Sequence, residues 1–274
     1  MFVHDPQGRS RQPWNPRVHG DRYGAVSSSN NFELAQLDAV AFLRTLPSES
    51  VDIVVTDPAY ESLEKHRAVG TTTRLKVSAG SSNTWFSIFP NVRFAELFAE
   101  VFRVLKRDTH FYLMCDPETA FIAKPVAEQA GFKFWKPLIW DKRSIGMGYH
   151  YRARYEFVLF FEKGKRRLAD LGIPDVLEVP RIRGGYPAEK PSALSEVFLR
   201  QSSIAGDLLV DPFMGSGSSG VAALTLGRRF AGNDVSSDSL KLARERLLVA
   251  GGVEGPVIAR PEHPEPVQQR LALG

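Results

Sequence analysis

With 274 residues, of which 43% are hydrophobic and 24% charged, the chain can bury a sizeable core as one domain with appendages. The one cysteine, Cys115, excludes an internal disulfide, and the six histidines show no ligand spacing, so no metal site is expected. No apolar run approaches membrane-spanning length, residues 1–30 lack the apolar centre of a signal peptide, and the net charge of +4 is compatible with an acidic partner.

In chain order, residues 1–30 are rich in Arg, Pro, Ser, Gly and Asn and read as a flexible arm. The globular domain is predicted over 31–252, with a tail over 253–274. A helix is expected at 39–46, then a Pro47-Ser48-Glu49-Ser50 turn and a buried strand at 51–56, where Val, Ile and Thr cluster. Residues 61–92 form a long connection carrying Lys65, His66, Arg67, Arg74 and Lys76, with Trp85 and Phe86 near its end; connections of that length are usually functional or disordered. Apolar residues at 94, 97, 98, 101, 102 and 105 give the 3-4 spacing of an amphipathic helix, leading into a strand at 111–114. Cys115, after that run, reads as a buried strand-end residue. Further strands are expected at 132–140, 157–161, 208–210 and 229–234, and helices at 222–229 and 239–248.

Two words stand at strand ends. Asp57-Pro58-Ala59-Tyr60 follows the strand at 51–56, and by itself such a word is a common turn in which Asp caps and Pro fixes φ. Asp211-Pro212-Phe213-Met214-Gly215-Ser216-Gly217 follows 208–210. Its glycines let the backbone approach a ligand, and the next helix N-terminus favours an anion. Gly215, Gly217 and Gly220 also satisfy the dinucleotide fingerprint, with Asp234 placed for a ribose, so a nicotinamide-dependent oxidoreductase is the competing reading. Such a site asks for neither the Asp-Pro-Phe lead-in nor the Asp-Pro-Ala-Tyr word.

Together the two words resemble those of the amino-directed DNA methyltransferases that use S-adenosylmethionine, in which a D/N/S-P-P-Y word holds the target base and a D-P-F-x-G-S-G word the methyl donor. The resemblance implies that Asp57, Pro58 and Tyr60 are catalytic. The Asp57 carboxylate and the Pro58 carbonyl would accept the two N–H groups of an exocyclic amine and localise its lone pair, while Tyr60 would stack on a base flipped out of the duplex. For the donor it implies Asp38, Asp211, Phe213, Gly215, Ser216, Gly217 and Asp234, and also Lys190, because Tyr186-Pro187-Ala188-Glu189-Lys190-Pro191 is similar to the family's P-T-E/Q-K-P word beside the donor's methionine end. The base word precedes the donor word, as in the circularly permuted beta class. The fold so implied is α/β, a Rossmann-like doubly wound methyltransferase sheet with ligands beyond the strand carboxyl ends. An Asp in first place resembles adenine-N6 enzymes more than cytosine-N4 ones, and cytosine N4 is the alternative. Ala59 stands where the commoner word has a second Pro, so a catalytically weak DNA-binding module of the same fold is a third reading.

The partner implied is double-stranded DNA, with no membrane and no metal, a homodimer left open, and a cytoplasmic setting of bacterial or phage type. Between Lys142 and Arg183 ten basic residues face five acidic ones, an excess larger than that of the whole chain. DNA contacts are expected from Lys65, Arg67 and Arg74 in the long connection and from Arg143, Arg152, Arg154, Arg166, Arg167, Arg181 and Arg183. Residues 164–185 match a short target-recognition segment, with Arg181 and Arg183 as base readers and Arg166 and Arg167 as phosphate contacts.

Overall fold

The computed structural model describes residues 31–62, 87–146, 151–182 and 189–258. They form a nine-stranded sheet in the order β6-β4-β5-β3-β2-β7-β8-β1-β9. The strands are β1 (Asn31–Ala35), β2 (Val51–Thr56), β3 (Leu105–Cys115), β4 (Lys133–Asp141), β5 (Tyr155–Lys163), β6 (Val176–Glu178), β7 (Leu208–Asp211), β8 (Arg229–Asn233) and β9 (Val253–Glu254). All pairings are parallel except those of β5, which runs antiparallel to both β3 and β4.

The period-two alternation of the strands sorts the core into two layers. Val54, Phe111, Leu113, Phe161 and Val210 pack against α1 (Ala39–Arg44), α2 (Phe94–Val104) and α3 (Pro117–Gln129). Ile53, Val55, Tyr112, Met114, Phe160 and Leu209 pack against α4 (Ser192–Ser202), α5 (Ser218–Thr225) and α6 (Ser237–Val249). Because both faces are covered, β2 and β7 are buried at every position, which is why they read as largely apolar runs, broken in β2 by Asp52. The chain leaves β2 towards β3 and leaves β7 towards β8, so the connections diverge and open a crevice at the carboxyl ends of these two neighbours.

Two elements differ from expectation for local reasons. β3 begins at Leu105, well before 111, and the polar run Lys106-Arg107-Asp108 hides that start; the pairing with β2 shifts register there, and Asp108 takes a positive φ of 58°. α5 starts at Ser218, before the expected 222, because Gly217 in the left-handed region turns the chain directly into the helix. α3, β6 and β9 were not expected at all, although Asp116 followed by Pro117 is an N-cap and first-turn signal for α3. Past the expected boundary at 252, β9 pairs with β1, the Gly255 amide donates to the Phe32 carbonyl at 2.9 Å, and Val257 is buried, so residues 253–258 pack on the sheet. The expected arm at 1–30, most of the connection at 61–92 and the end of the tail lie outside the described residues.

α5 sits close to the sheet because Gly220 lacks a side chain. A Cβ there would lie 2.5 Å from Phe230 Cε1 and 2.8 Å from Leu247 Cδ2, both on buried side chains. Gly220→Ala should therefore lower stability by about 1–3 kcal/mol, the usual cost of overpacking, read as a fall in the denaturant midpoint with unchanged slope.

Candidate active site

The crevice is closed at its base by one carboxylate. Asp211, at the end of β7, accepts from Thr56 Oγ1 at the end of β2 (2.8 Å), from Ser219 Oγ in α5 (2.6 Å) and from the Phe213 amide (3.0 Å). Burial raises its pKa to about 6 against these donors. Its role is thus to hold the two strand ends and the glycine turn together from below.

The turn that follows is set by glycines and acids. Gly215 and Gly217 have φ of 50° and 75°, and a Cβ on Gly217 would stand 2.9 Å from that of Ala243. Asp234 accepts from the Gly215 amide (3.1 Å) and from the Ser236 amide (2.8 Å). Asn233 joins three segments by accepting from the Leu37 amide and donating to the Leu37 and Pro212 carbonyls. Arg246 in α6 donates to the Ser216 carbonyl (2.9 Å) and pairs with Glu189 (2.6 Å), linking the turn to the Glu-Lys-Pro word.

Asp38 caps α1 through the Val40 and Ala41 amides and is gripped by both terminal nitrogens of Arg93, at 2.6 and 2.9 Å, whose hydrogen bonds hold its pKa below the usual carboxylate value. Arg93 also lies over Phe89, 5.0 Å from its centroid, and the Phe89 ring meets Phe213 edge-on at 5.1 Å.

Across the cavity, Asp57 Oδ1 accepts from the Tyr60 hydroxyl at 2.5 Å, and Oδ2 contacts Lys190 Nζ. The same ammonium lies 3.4 Å from Glu156 Oε2, while Lys142 Nζ is 3.1 Å from Glu156 Oε1. Burial raises the Asp57 pKa, with Lys190 opposing and Glu156 reinforcing it. Burial also works against the charged forms of Lys190 and Glu156, yet their opposite-charge neighbours prevail: Lys190 is raised and Glu156 lowered. About a fifth of the Asp57 side chain remains open (21%), so its carboxylate is reachable from the cavity. Cys115, buried nearby, has its thiol pushed well up by burial and by Asp116, Asp57 and Glu156, so it is not poised as a nucleophile.

One cavity of about 300 Å³ is lined by Asp57, Pro58, Ala59 and Tyr60 and also by Asp211, Phe213, Gly215, Ser216 and Asp234. The two sequence words therefore share a single space. Its mouth is pinned where the long connection leaves and returns: the Phe89 amide donates to the Ala59 carbonyl (2.8 Å), and Glu61 accepts from the Asn91 amide and side chain (2.8 and 3.0 Å).

Three findings modify the expected roles. Lys190 directs its ammonium to the base-word carboxylate, not to the glycine turn. Arg166 and Arg167 follow the far end of the antiparallel β5, where the Arg166 carbonyl meets His110 at 3.2 Å and its amide bonds Glu162, so they sit at the sheet edge opposite the cavity. Arg143, Arg152, Arg154 and Arg181 are exposed at the sheet end where β4 and β6 finish and β5 begins, with Arg154 forked onto Asp141 (2.7 and 2.6 Å) and Arg143 3.3 Å from Glu178. Lys65, Arg67, Arg74 and Arg183 lie outside the described residues. Among the described residues no cluster of His, Cys, Asp and Glu could hold a metal, and no helix is long and apolar enough to cross a membrane. Glu156, Arg93 and Asn233 escaped the sequence reading; an acid inside the apolar run of β5 is the signal that marks Glu156.

Residues 51–180 and 171–245 match the DNA methylase family. The chain belongs to that family. Its relatives include the DNA adenine methyltransferase YhdJ of Escherichia coli, 28% identical over 81% of this chain and 85% of that protein. The Type II methyltransferase M2.DpnII of Streptococcus pneumoniae is 25% identical over 82% of this chain and 95% of that one. Among solved structures, M1.HpyAVI aligns with a TM-score of 0.59 at 21% identity, over 79% of this chain and 98% of that chain. The cytosine-N4-specific PvuII DNA methyltransferase gives 0.59 at 16%, over 83% and 95%. These likenesses show a shared Rossmann-like methyltransferase fold.

Asp211 supplies a test of the architecture. Its folded pKa, near 6, is above the ordinary value of 3.8, so its contribution favours the folded state at low pH and is lost as pH rises through 6. Asp211→Asn removes that titration. The difference in unfolding free energy between wild type and variant should change by the order of 3 kcal/mol between pH 4 and pH 7, in the variant's favour at the higher pH, as followed by denaturant unfolding.

Proposed function

We propose that the protein transfers a methyl group from S-adenosylmethionine to the exocyclic amine of a base flipped out of double-stranded DNA, and that the base is adenine, modified at N6. The observation that carries the reading is one cavity shared by Asp57-Pro58-Ala59-Tyr60 and the Phe213-to-Ser216 turn. The acid in first place of the base word and the name of the Escherichia coli relative favour adenine.

The residues present fit the donor. The side-chain-free turn at Gly215 and Gly217 leaves room for close backbone approach, Phe213 offers an apolar edge, and Asp38 and Asp234 place acids on the same wall. When bound, S-adenosylmethionine supplies an electrophilic methyl group on a sulfonium centre. Asp57 accepts one N–H of the base amine and the Pro58 carbonyl the other, so the nitrogen lone pair is drawn out of the ring and developing positive charge is stabilised. Tyr60, buried and bonded to Asp57, fixes the carboxylate and gives the extruded base an aromatic wall that offsets part of the unstacking cost. The duplex approaches the strand carboxyl edge, where Arg143, Arg152, Arg154 and Arg181 are exposed.

Asp57→Ala should lower methyl transfer by about a hundredfold to a thousandfold or more while donor affinity stays largely intact, because its partner is the base amine. Gly215→Val should weaken donor binding itself. Digestion of the product DNA to nucleosides and mass spectrometry should show N6-methyladenine; N4-methylcytosine alone would reassign the base, and full turnover by Asp57→Ala would discard the site.

For the DNA face, the double variant Arg152→Ala/Arg154→Ala should reduce the magnitude of the log-affinity against log-salt slope by roughly two. Arg166→Ala/Arg167→Ala, at the opposite edge, should leave it unchanged. Salt titrations on random duplex compare the two directly.

A further inference from the structure

Lys190 stands immediately before α4, and its side chain is 15% exposed. Its ammonium touches Asp57 Oδ2 and lies 3.4 Å from Glu156 Oε2, an oxygen that is buried and receives no hydrogen bond. One cation thus lies between two carboxylates that both line the cavity, and it is held more closely by Asp57, the one in the base word. Asp57 Oδ1 is meanwhile taken by Tyr60. An incoming amine therefore meets a carboxylate that already has one partner on each oxygen, and must share an oxygen with Tyr60 or Lys190 or displace one of them.

From this geometry we infer that Lys190 is a positioning residue that keeps Asp57 ionised and aimed into the cavity, and that Glu156 is the counter-carboxylate towards which the ammonium leans when the base amine takes its place on Asp57. The inference rests on the methyl-transfer reading for its biological meaning, although the ion-pair geometry stands without it. Because Glu156 Oε2 already lies 3.4 Å from the ammonium, the displacement is short and the ammonium stays paired throughout, so no charge is stranded in a partly buried site. Among the described residues, Tyr60 acts on Asp57 from the same loop, Cys115 lies near it at the end of β3 and Asp211 at the end of β7, and Lys142, after β4, acts on Glu156.

The two partners should act on Asp57 with opposite sign. Without Lys190, Asp57 loses a nearby cation and protonates more easily; without the Glu156 charge, it loses a nearby anion and Lys190 serves it alone. The experiment is the pH dependence of kcat/KM for methyl transfer by the full chain, beside a carboxyl carbon-13 NMR titration of Asp57 assigned through Asp57→Asn. Lys190→Met should move the acid limb and the Asp57 titration up by roughly one to three pH units, and Glu156→Gln should move both down. Lys190→Arg should restore the limb to near its wild-type position. Donor affinity should change little in all three, and thermal unfolding monitors the fold; if Lys190→Met does not fold, the downward shift in Glu156→Gln and the Lys190→Arg profile decide. Unmoved limbs and titrations in the folded variants would overturn the inference, and so would a collapse of donor affinity in Lys190→Met with an unmoved limb, which would assign Lys190 to the donor. A wild-type chain that methylates no DNA at any pH would instead overturn the methyl-transfer reading, while the NMR titration still tests the ion pair.

Discussion

Asp211 is accessible to almost nothing but its own neighbours, and the site depends on that enclosure. Its carboxylate receives Thr56 from one strand, Ser219 from the helix behind and an amide from its own turn. Remove it and the ends of β2 and β7 lose their common anchor just where the chain departs in opposite directions. A parallel pair at such a divergence has no hairpin to hold its ends, so a buried acceptor with several donors is an effective clamp. The raised pKa is the energetic cost of placing a charge there. Two flanking apolar layers, in which each fully buried Phe or Leu contributes ~1.5–3 kcal/mol, are ample to offset it.

Above that clamp the site is arranged by charge more than by shape. Asp38 is gripped by Arg93, Asp234 by amides, and Asp57 by a tyrosine and a lysine. Each of these three acids has a partner, so each enters any reaction with its orientation already fixed. Such preorganisation spares the cost of ordering side chains when ligand arrives.

Both motif words were legible because their chemistry is local: a strand end, a turn and a few side chains within seven residues. The buried strands at 51–56 and 208–210 were equally plain, since two-sided burial leaves a mostly apolar, β-branched or aliphatic run, with Asp52 the one charge inside it. What escaped depends on pairs distant in sequence. Glu156 matters only because an antiparallel strand brings it to Lys190, and Arg93 only because its helix start lies against Asp38. Arg166 and Arg167 show the converse case, a position that only the strand direction reveals. Composition placed them in a basic segment, but the direction of β5 carries them to the opposite end of the sheet. β9 was hidden by its brevity, a two-residue strand recognisable only through its pairing with β1.

The joined ends of the long connection have an evolutionary consequence. Glu61 clasps Asn91, and Ala59 receives the Phe89 amide, so the chain departs and re-enters through a single gate beside the base word. With the ends joined in this way, doubling the length of chain between residues 62 and 87 would add only about 0.6 kcal/mol of closure entropy. The fold therefore offers a socket at which segments of different size and sequence preference could be exchanged between relatives without rebuilding the machinery below.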